Sequence, residues 1–358
     1  MDQPARYATD VTIVIPTMNR AQFLETYVRA LTATGYAGTL LICDSSEESE
    51  YARAQRLLAD TDATFPIIHH HLPGLGNAQA VNAALADVKT PYAIYMPDDD
   101  ILVPRTLEAA ARFLDDAPDY GAATGHAVIV PIEKGRVSNA AAYNLRAFNQ
   151  EGPAARLESL FSDYCVVHFA LSRAEHFRRC WRAGAQISER YFSGELVINC
   201  LHLIYGKVGL VDGLLVVRQD HAARVSQNDF FEWITREGWS EGVRRFLDTI
   251  SGELAIQGPL SDEAARAAIK QGFWLYLAKH LSHSYGAQYK INHRAGLRSR
   301  LRQIHWLWLL VRFIRSRYPG DASHFALEAL LRPNSRFHSD FMPVYNALSS
   351  NGPARPTS

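Results

Sequence analysis

Apolar runs alternate with amphipathic stretches along the first 130 residues of the chain. The β-branched run from Val11 to Ile15 predicts a strand that is buried on both faces, because a strand covered by helices on both sides loses the apolar–polar alternation. Apolar residues then recur at helical spacing from Leu24 to Leu31, and Gly35 is placed to end that helix. By the same criteria, further strands are predicted at 40–43, 66–70 and 92–96, each followed by a helix.

This alternation predicts an α/β fold with a mainly parallel sheet that helices cover on both faces. Ligands of such sheets bind at the carboxyl ends of the strands. Polar side chains stand just beyond three of the predicted strands, and their convergence predicts a binding site at that edge of the sheet. The residues are Thr17, Asn19, Asp44, Ser45 and the triplet Asp98, Asp99 and Asp100.

Three consecutive carboxylates, Asp98, Asp99 and Asp100, directly follow the predicted strand at 92–96 and Pro97. Adjacent like charges repel one another, so a fold that concentrates them at a strand end is expected to neutralise them with a cation. Oxygen ligands suit hard ions such as Mg²⁺ or Mn²⁺, which commonly bridge to substrate phosphates. An acidic turn or a helix N-cap is the alternative explanation of the triplet.

The composition is that of a globular protein with an ample core, since 47% of the 358 residues are hydrophobic and 21% are charged. Lys+Arg and Asp+Glu both total 37, so the charge balance does not predict nucleic-acid binding. The four cysteines occur singly, and the stretch from Met1 to Asp10 lacks the features of a signal peptide. We therefore expect reduced thiols in a cytoplasmic protein without a membrane-spanning segment.

Four motifs follow one another in this part of the chain. They are Val-Ile-Pro-Thr-Met-Asn-Arg at 14–20, Cys-Asp-Ser-Ser at 43–46, Gly-Leu-Gly-Asn-Ala-Gln-Ala-Val-Asn at 74–82 and Asp-Asp-Asp at 98–100. Together they resemble the family 2 glycosyltransferases of the GT-A fold, with its DxD motif. The resemblance covers about residues 10–225 and implies a Rossmann-like, mainly parallel sheet, whereas periodicity alone would predict only an α/β nucleotide-binding fold.

The resemblance implies roles on the donor side for the matching positions. Pro16, Thr17 and Asn19 would border the nucleotide pocket. Asp44 would contact the base or the ribose, and a carboxylate can accept hydrogen bonds from uracil N–H or ribose hydroxyls. An Asx-turn or helix cap is the alternative role of Asp44. Asn82 would lie close to the nucleotide, although a solvated position in the middle of a helix also explains it.

The resemblance also implies which groups bind the diphosphate and its metal ion. Asp98 would contact the ribose and help Asp100 to hold Mn²⁺ or Mg²⁺. Asp99 is counted among the donor-binding residues, with its role left open. Arg218 is a candidate for the diphosphate and His221 for the metal, although a lone histidine is more often structural.

The acceptor side of an inverting family 2 enzyme needs a carboxylate that deprotonates the acceptor hydroxyl. In the family this group usually belongs to a Glu-Asp pair at the start of a helix. Glu195 matches the first position and is the predicted base, but Leu196 stands where the second acid is expected. Glu189 and Asp163 are the alternatives.

After about residue 228 the strand-like runs end and long helical segments are predicted at 229–250, 261–285, 294–317 and 321–332. The sequence thus predicts a catalytic domain over 1–228, a helical C-terminal region over 229–332 and a loosely ordered tail over 333–358. The stretch 305–317 combines apolar bulk with basic residues, which suits either a core helix or a helix in a membrane interface.

We therefore predict a metal-dependent, inverting glycosyltransferase that moves a sugar from a nucleotide-diphosphate donor, with UDP-sugars favoured. The family context implies a glycan or lipid-linked acceptor in surface polysaccharide assembly, at the inner face of a membrane if the protein binds one. Two alternatives stay open. One is a nucleotidyltransferase, and the other is a catalytically inactive relative that serves as a sugar- or nucleotide-binding scaffold. The oligomeric state is unreadable from the sequence.

Overall fold

The computed structural model of the chain describes residues 7–133, 135–222, 230–289 and 324–350. Strands and helices alternate through the first 120 of them, as predicted. The strands are β1 (Val11–Thr17), β2 (Thr39–Asp44), β3 (Ile67–His71), β4 (Tyr92–Tyr95), β5 (Ile101–Leu102), β6 (Tyr120–Glu133), β7 (Arg136–Val137), β8 (Ala141–Tyr143), β9 (Leu171–Arg173) and β10 (Lys207–Asp220).

The helices pack against this sheet and against one another. They are α1 (Ala21–Ala33), α2 (Glu48–Ala59), α3 (Asn77–Ala83), α4 (Pro104–Asp116), α5 (Pro153–Ser162), α6 (Ala174–Gly184), α7 (Val197–Tyr205), α8 (Phe230–Thr235), α9 (Trp239–Gln257), α10 (Asp262–Tyr289), α11 (Leu327–Leu330) and α12 (His338–Ser350).

The main sheet has the strand order β3-β2-β1-β4-β9-β6-β10-β5, with β7 and β8 paired to β6. Strands β1 to β4 pair in parallel, and so do β6 and β10. Strand β9 runs antiparallel between β4 and β6, and β5 runs antiparallel to β10. A mixed, mainly parallel sheet with packed helices and a helical C-terminal region is the predicted GT-A-type α/β architecture, which is confirmed.

Local sequence signals explain the first elements. The residues of β1 from Val11 to Ile15 are all buried, as a strand inside a parallel sheet requires. Helix α1 buries its predicted apolar face and ends before Gly35, whose φ of +74° is a left-handed conformation that glycine adopts without strain. Pro104 is the first residue of α4, where its missing N–H costs nothing.

Strand β10 is long and irregular. Its pairing with β6 shifts register between Leu210 and Leu214. Gly213 lies inside this irregularity. A side chain there would collide with Thr106, because its Cβ would stand 2.6 Å from the Thr106 hydroxyl oxygen. The irregularity is therefore a bulge in a continuous strand.

The first helix predicted in the helical region, 229–250, is broken. Gly238 adopts φ +80° and separates α8 from α9, while α10 corresponds to the segment predicted at 261–285. The predicted helix at 294–317, with its stretch at 305–317, lies outside the described residues, as does the predicted boundary at residue 228. No helix among the described residues is long and apolar enough to cross a membrane.

The prediction of a loosely ordered tail after residue 333 is wrong for residues 338–350, which form α12. Phe337, Phe341 and Val344 recur at helical spacing and are at most 1% exposed. Helix α12 packs against α1 and β10, and Asp340 Oδ2 accepts a hydrogen bond of 3.2 Å from the Leu214 backbone N–H. The polar residues around Asn334 and Gly352 are the reason that the sequence predicts a tail here.

Candidate active site

The carboxyl ends of β1, β2 and β4 meet at one edge of the sheet, where the sequence placed the site. Thr17, the last residue of β1, donates a hydrogen bond of 2.7 Å from its hydroxyl to Asp98 Oδ2, just beyond β4. Asp44 is the last residue of β2 and pairs in register with Thr17. The polar residues that follow these strands are therefore neighbours in the structure.

The acidic triplet is buried and paired with arginines. Asp98, Asp99 and Asp100 are 4%, 6% and 1% exposed. Arg20 bridges the first two, with its guanidinium nitrogens 3.1 Å from Asp98 Oδ1 and 2.6 Å from Asp99 Oδ2. Arg218 Nε lies 2.7 Å from Asp100 Oδ2. Two guanidinium groups of the chain thus supply much of the neutralising charge that the sequence argument assigned to a metal ion.

The three carboxyl groups titrate differently because their partners differ. Burial raises the pKa of Asp98 to about 7, against the opposing charge of Arg20. Burial also raises the pKa of Asp100, although Arg218 opposes it. At Asp99 the effect of burial is outweighed by the close contacts with His221 and Arg20, which hold its pKa below the ordinary value.

Asp100 is fixed to β10. Its Oδ2 accepts the hydrogen bond from Arg218, and its Oδ1 accepts one of 3.0 Å from the Gln219 backbone N–H. The Arg218 guanidinium lies between the rings of Tyr143 and Phe169, at 4.5 and 4.9 Å from their centroids. Both oxygens of Asp100 are therefore engaged in a buried structural pair, an arrangement that does not favour the metal role implied by the resemblance.

Asp99 and His221 fit a divalent ion better. His221 Nε2 lies 3.3 Å from Asp99 Oδ2, and its ring stacks on Phe23 with centroids 5.0 Å apart. This nitrogen is buried, and it forms no hydrogen bond of good geometry with any group in the described part of the chain. An imidazole and a carboxylate at one point suit Mn²⁺ or Mg²⁺, which commonly takes one or two carboxylates and completes its shell with phosphate oxygens and water.

Asp44 and Asn19 order the loops after β1 and β2. Asp44 is fully buried, its Oδ1 accepts the Ser46 backbone N–H at 2.8 Å, and its Oδ2 lies 2.9 Å from His69 Nε2. Burial raises its pKa, but the hydrogen bonds from His69 and Ser46 outweigh that effect and lower it. The geometry is an Asx-turn, so Asp44 has at least the structural role that the sequence left open.

Asn19 links the same two loops from the other side. Its φ of +57° is left-handed, a conformation that asparagine tolerates better than most residues. Its backbone N–H donates to Ser46 Oγ at 2.7 Å, and its Oδ1 accepts from the Glu47 backbone N–H at 3.0 Å. Pro16 and Asn82 are half-buried, Pro16 at the end of β1 and Asn82 on α3.

The predicted base, Glu195, lies in a π-helical turn (Phe192–Leu196) directly before α7. Such turns are frequent at functional sites. Glu195 Oε1 accepts hydrogen bonds from the hydroxyls of Tyr164 at 2.7 Å and Tyr191 at 3.2 Å. Leu196 is fully buried in the core, so position 196 does not present a side chain to the site.

The two alternative bases, Glu189 and Asp163, are less suited to the role of general base. Glu189 accepts the Phe192 backbone N–H at 2.8 Å with one oxygen and Trp233 Nε1 at 3.2 Å with the other, so it holds the turn together. Asp163 is exposed, and its carboxylate lies 3.9 Å from Arg146 Nε. Glu195 is the candidate that the local geometry favours.

Tyr95, the last residue of β4, connects the two halves of the candidate site. Burial raises its pKa first, and the negative charges of Asp98, Asp99 and Glu195 add to that rise. Its hydroxyl accepts a hydrogen bond of 2.8 Å from Asn77 Nδ2. The acidic triplet and Glu195 therefore face the same end of β4.

Sequence reasoning missed four residues that build this site. Arg20 closes the first motif and follows directly on the loop after β1, a position that could have marked it as the partner of the triplet. Gln219 lies between Arg218 and His221, both of which were singled out. Tyr191 stands four residues before Glu195, a spacing of about one helical turn that could have marked it. Tyr164 gave no signal, because nothing in the sequence brings a distant phenol to a particular carboxylate.

Comparison with known sequences gives one match. The sequence profile described as Glycosyl transferase family 2 matches residues 12–181, from β1 through most of α6, and so includes the acidic triplet. No curated protein matches the chain.

Several solved structures have a similar course of the chain. Residues 1–349 of TarS from S. aureus are 12% identical with a TM-score of 0.45, covering 96% of this chain and 90% of that one. The same fragment in complex with UDP-GlcNAc is 14% identical with a TM-score of 0.44, covering 96% and 91%. The mannosyltransferase PcManGT from Pyrobaculum calidifontis, in complex with GDP-Man and Mn²⁺, is 15% identical with a TM-score of 0.41, covering 88% and 87%.

Likeness at these scores carries no conclusion about substrates or site residues. The profile match identifies the family, since it rests on the sequence of the region that holds the four motifs. It confirms both the family that those motifs resemble and the prediction of an enzyme. Residues 12–181 of this chain form a glycosyltransferase domain of family 2.

Proposed function

We propose that this protein is a metal-dependent, inverting glycosyltransferase that uses a nucleotide-diphosphate sugar, with UDP-sugars favoured, and a glycan or glycoconjugate acceptor. The observation that carries the proposal is the placement of the acidic triplet and Glu195 around the end of β4. The first group suits the donor diphosphate, and the second suits an acceptor hydroxyl. The wider context, surface polysaccharide assembly, comes from the family resemblance alone.

On the donor side, the loops that Asn19 and Asp44 order would hold the nucleotide. Asp99 and His221 would hold Mn²⁺ or Mg²⁺, which when bound supplies Lewis-acid stabilisation of the departing diphosphate. Asp98, fixed by Thr17 and Arg20, would shape the pocket beside them. Asp100 would act indirectly, by holding Arg218 and the end of β10 in place.

On the acceptor side, Glu195 would act as the general base. The acceptor hydroxyl oxygen forms a bond to the anomeric carbon while the bond from that carbon to the diphosphate oxygen breaks. The hydroxyl proton passes to Glu195. Hydrogen bonds from Tyr164 and Tyr191 favour the ionised carboxylate that this step needs, because they stabilise the charged form.

The proposal of an inactive scaffold depended on Leu196, which replaces a second acid. Leu196 is fully buried, so the replacement removes nothing from the surface that faces the acceptor. Glu195 supplies a carboxylate beside it, at intermediate exposure. The arrangement therefore favours an active transferase over a scaffold.

Calorimetric titration tests the donor half of the proposal. The protein is titrated with UDP, GDP, CDP and dTDP, each with Mn²⁺ and again with EDTA. We expect one nucleotide, UDP first, to bind in the presence of Mn²⁺ and to lose most of its affinity in EDTA. Equal binding with and without the metal would contradict metal dependence, and no binding of any nucleotide to folded protein would contradict the proposed donor class.

A further inference from the structure

The Glu195 carboxylate is held by a chain of hydrogen bonds that reaches into the helical region. Its Oε1 accepts from Tyr164 at 2.7 Å and from Tyr191 at 3.2 Å. The Tyr191 hydroxyl in turn lies 2.6 Å from the hydroxyl of Tyr276, which belongs to α10. Residue 276 is far outside the segment that matches the family profile.

The direction of each hydrogen bond on the Tyr164 branch follows from the donors available. An ionised carboxylate can only accept, so Tyr164 must donate its single proton to Glu195. Its oxygen then accepts the hydrogen bond of 2.7 Å from Asn199 Nδ2. The Asn199 amide cannot be reversed, because its Oδ1 accepts the backbone N–H groups of Val167 at 3.0 Å and His168 at 2.9 Å.

The same reasoning fixes the Tyr191 branch. Tyr191 donates its only proton to Glu195, so in the pair with Tyr276 it must accept. Tyr276 is therefore the donor at the far end of the branch. Its ring is fully buried, packed against Tyr164, Phe273 and His280 with centroids 4.8, 6.2 and 4.4 Å away. That packing holds the Tyr276 hydroxyl in one place.

We propose that Tyr276 is a positioning residue, which acts through Tyr191 to orient the Glu195 carboxylate and to keep it ionised. The helical region thereby completes the active site of the catalytic domain. The proposal rests on the proposed function in one respect, that Glu195 is the general base.

Four phenols among the described residues face Glu195: Tyr164, Tyr191, Tyr276 and, from β4, Tyr95. Burial, followed by the negative charge of Glu195, raises the pKa of Tyr164, Tyr191 and Tyr276 above the ordinary value. These hydroxyls therefore keep their protons throughout the neutral range and remain donors.

The test is a double-mutant cycle of Tyr191→Phe and Tyr276→Phe, measured on the full chain. Release of nucleoside diphosphate from the nucleotide sugars of UDP, GDP, CDP and dTDP is followed, with water as the acceptor, over a range of pH. Tyr276→Phe is expected to lower kcat about threefold to tenfold, with KM unchanged, as for the loss of one hydrogen bond. The acid limb of the kcat profile should move to higher pH, because a carboxylate with weaker donors is easier to protonate.

Tyr191→Phe is expected to have the larger effect, since it removes the donor itself. Adding Tyr276→Phe to that variant should then change neither kcat nor the pH profile. The matched control is Tyr92→Phe, which removes another phenol–carboxylate hydrogen bond, to Asp115, at the opposite end of β4. It should leave the acid limb of the profile where it is.

Three outcomes would overturn the proposal. A kcat and pH profile of Tyr276→Phe equal to those of an active wild type would refute it while sparing the proposed function. Additive losses in the double variant would show that Tyr276 does not act through Tyr191. A folded wild type that releases no nucleotide from any donor would refute both the proposed function and the role of Tyr276.

Discussion

The donor half and the acceptor half of the candidate site hold their carboxylates by different means. Asp98, Asp99 and Asp100 are paired with the guanidinium groups of Arg20 and Arg218. Glu195 is held by neutral phenols. A cation beside a carboxylate cancels its charge, whereas a phenol orients it and leaves the charge in place.

The difference fits two tasks. Asp98 and Asp100 are almost fully buried and use both oxygens within the chain, so they build the floor of a pocket. Glu195 is half-buried, and both of its phenol contacts fall on one oxygen, Oε1. An ionised carboxylate is what a general base needs. Substitutions in the donor half and in the acceptor half should therefore have separable effects.

The largest expected effect is that of Glu195→Gln. It keeps the size of the side chain but removes the proton acceptor, so transfer should fall by about a hundredfold to ten-thousandfold. Donor binding should stay within about twofold of wild type, because the guanidinium-paired carboxylates are untouched. Steady-state kinetics and calorimetry on the same preparation measure the two quantities. Near-normal transfer would remove Glu195 from the role of base.

The variant Leu196→Asp tests whether a second acid can be introduced at position 196. The new carboxylate would be buried without a partner, since Leu196 is fully buried in the core, and we expect a loss of about 3–5 kcal/mol in the free energy of unfolding. Leu196→Met, which keeps the position apolar, should cost less than about 1.5 kcal/mol. Urea denaturation gives both values. A stable Leu196→Asp protein with faster transfer would show that position 196 belongs to the active site.

The sequence predicted the donor half far better than the acceptor half. The residues at the ends of β1, β2 and β4 were found because strand ends are readable from apolar runs and meet at one edge of a parallel sheet. Even so, the sequence argument assigned the neutralising charge to a metal ion and overlooked Arg20, which directly follows the predicted site residue Asn19. Charge balance can be counted from a sequence, but the partner of each charge cannot.

The acceptor half depends on contacts between remote segments. Glu195 was identified from the resemblance, but Tyr276 reaches Tyr191, and Asn199 reaches Tyr164, only through contacts between segments that are remote in the chain. A buried tyrosine at helical spacing looks like any other core residue in the sequence. The same limit explains α12, whose apolar stripe at 337–344 was read as a tail because it follows a polar stretch.

The pH dependence of stability should also separate the two halves. Asp98 has a pKa raised from 3.8 to about 7, so its folded form binds a proton more tightly than its unfolded form does. Its contribution to stability is then fully present below pH 3.8 and is lost as the pH rises to about 7, at a limiting rate of about 1.4 kcal/mol per pH unit. Asp98→Asn removes this ionisation.

The measurement compares the unfolding free energies of wild type and Asp98→Asn between pH 4.5 and 7.5. The stability of the variant relative to wild type should rise steadily with pH, by about 3 kcal/mol over this range. Glu195→Gln serves as the control from the other half. A flat difference for Asp98→Asn would mean that Arg20 keeps Asp98 ionised throughout this range.

The smallest expected effect distinguishes Asp99 from Asp100 as the group that holds the metal. The measured quantity is the ratio of the nucleotide Kd in EDTA to that in Mn²⁺, which isolates the metal from any general loss of affinity. Asp99→Asn should reduce this ratio by about tenfold to a hundredfold, the range known for weakened metal sites. Asp100→Asn should lower stability, because Arg218 loses its buried partner, while leaving the ratio near the wild-type value. If the ratio instead collapses in Asp100→Asn and survives in Asp99→Asn, the metal belongs to Asp100, and the pair it forms with Arg218 must open when the donor binds.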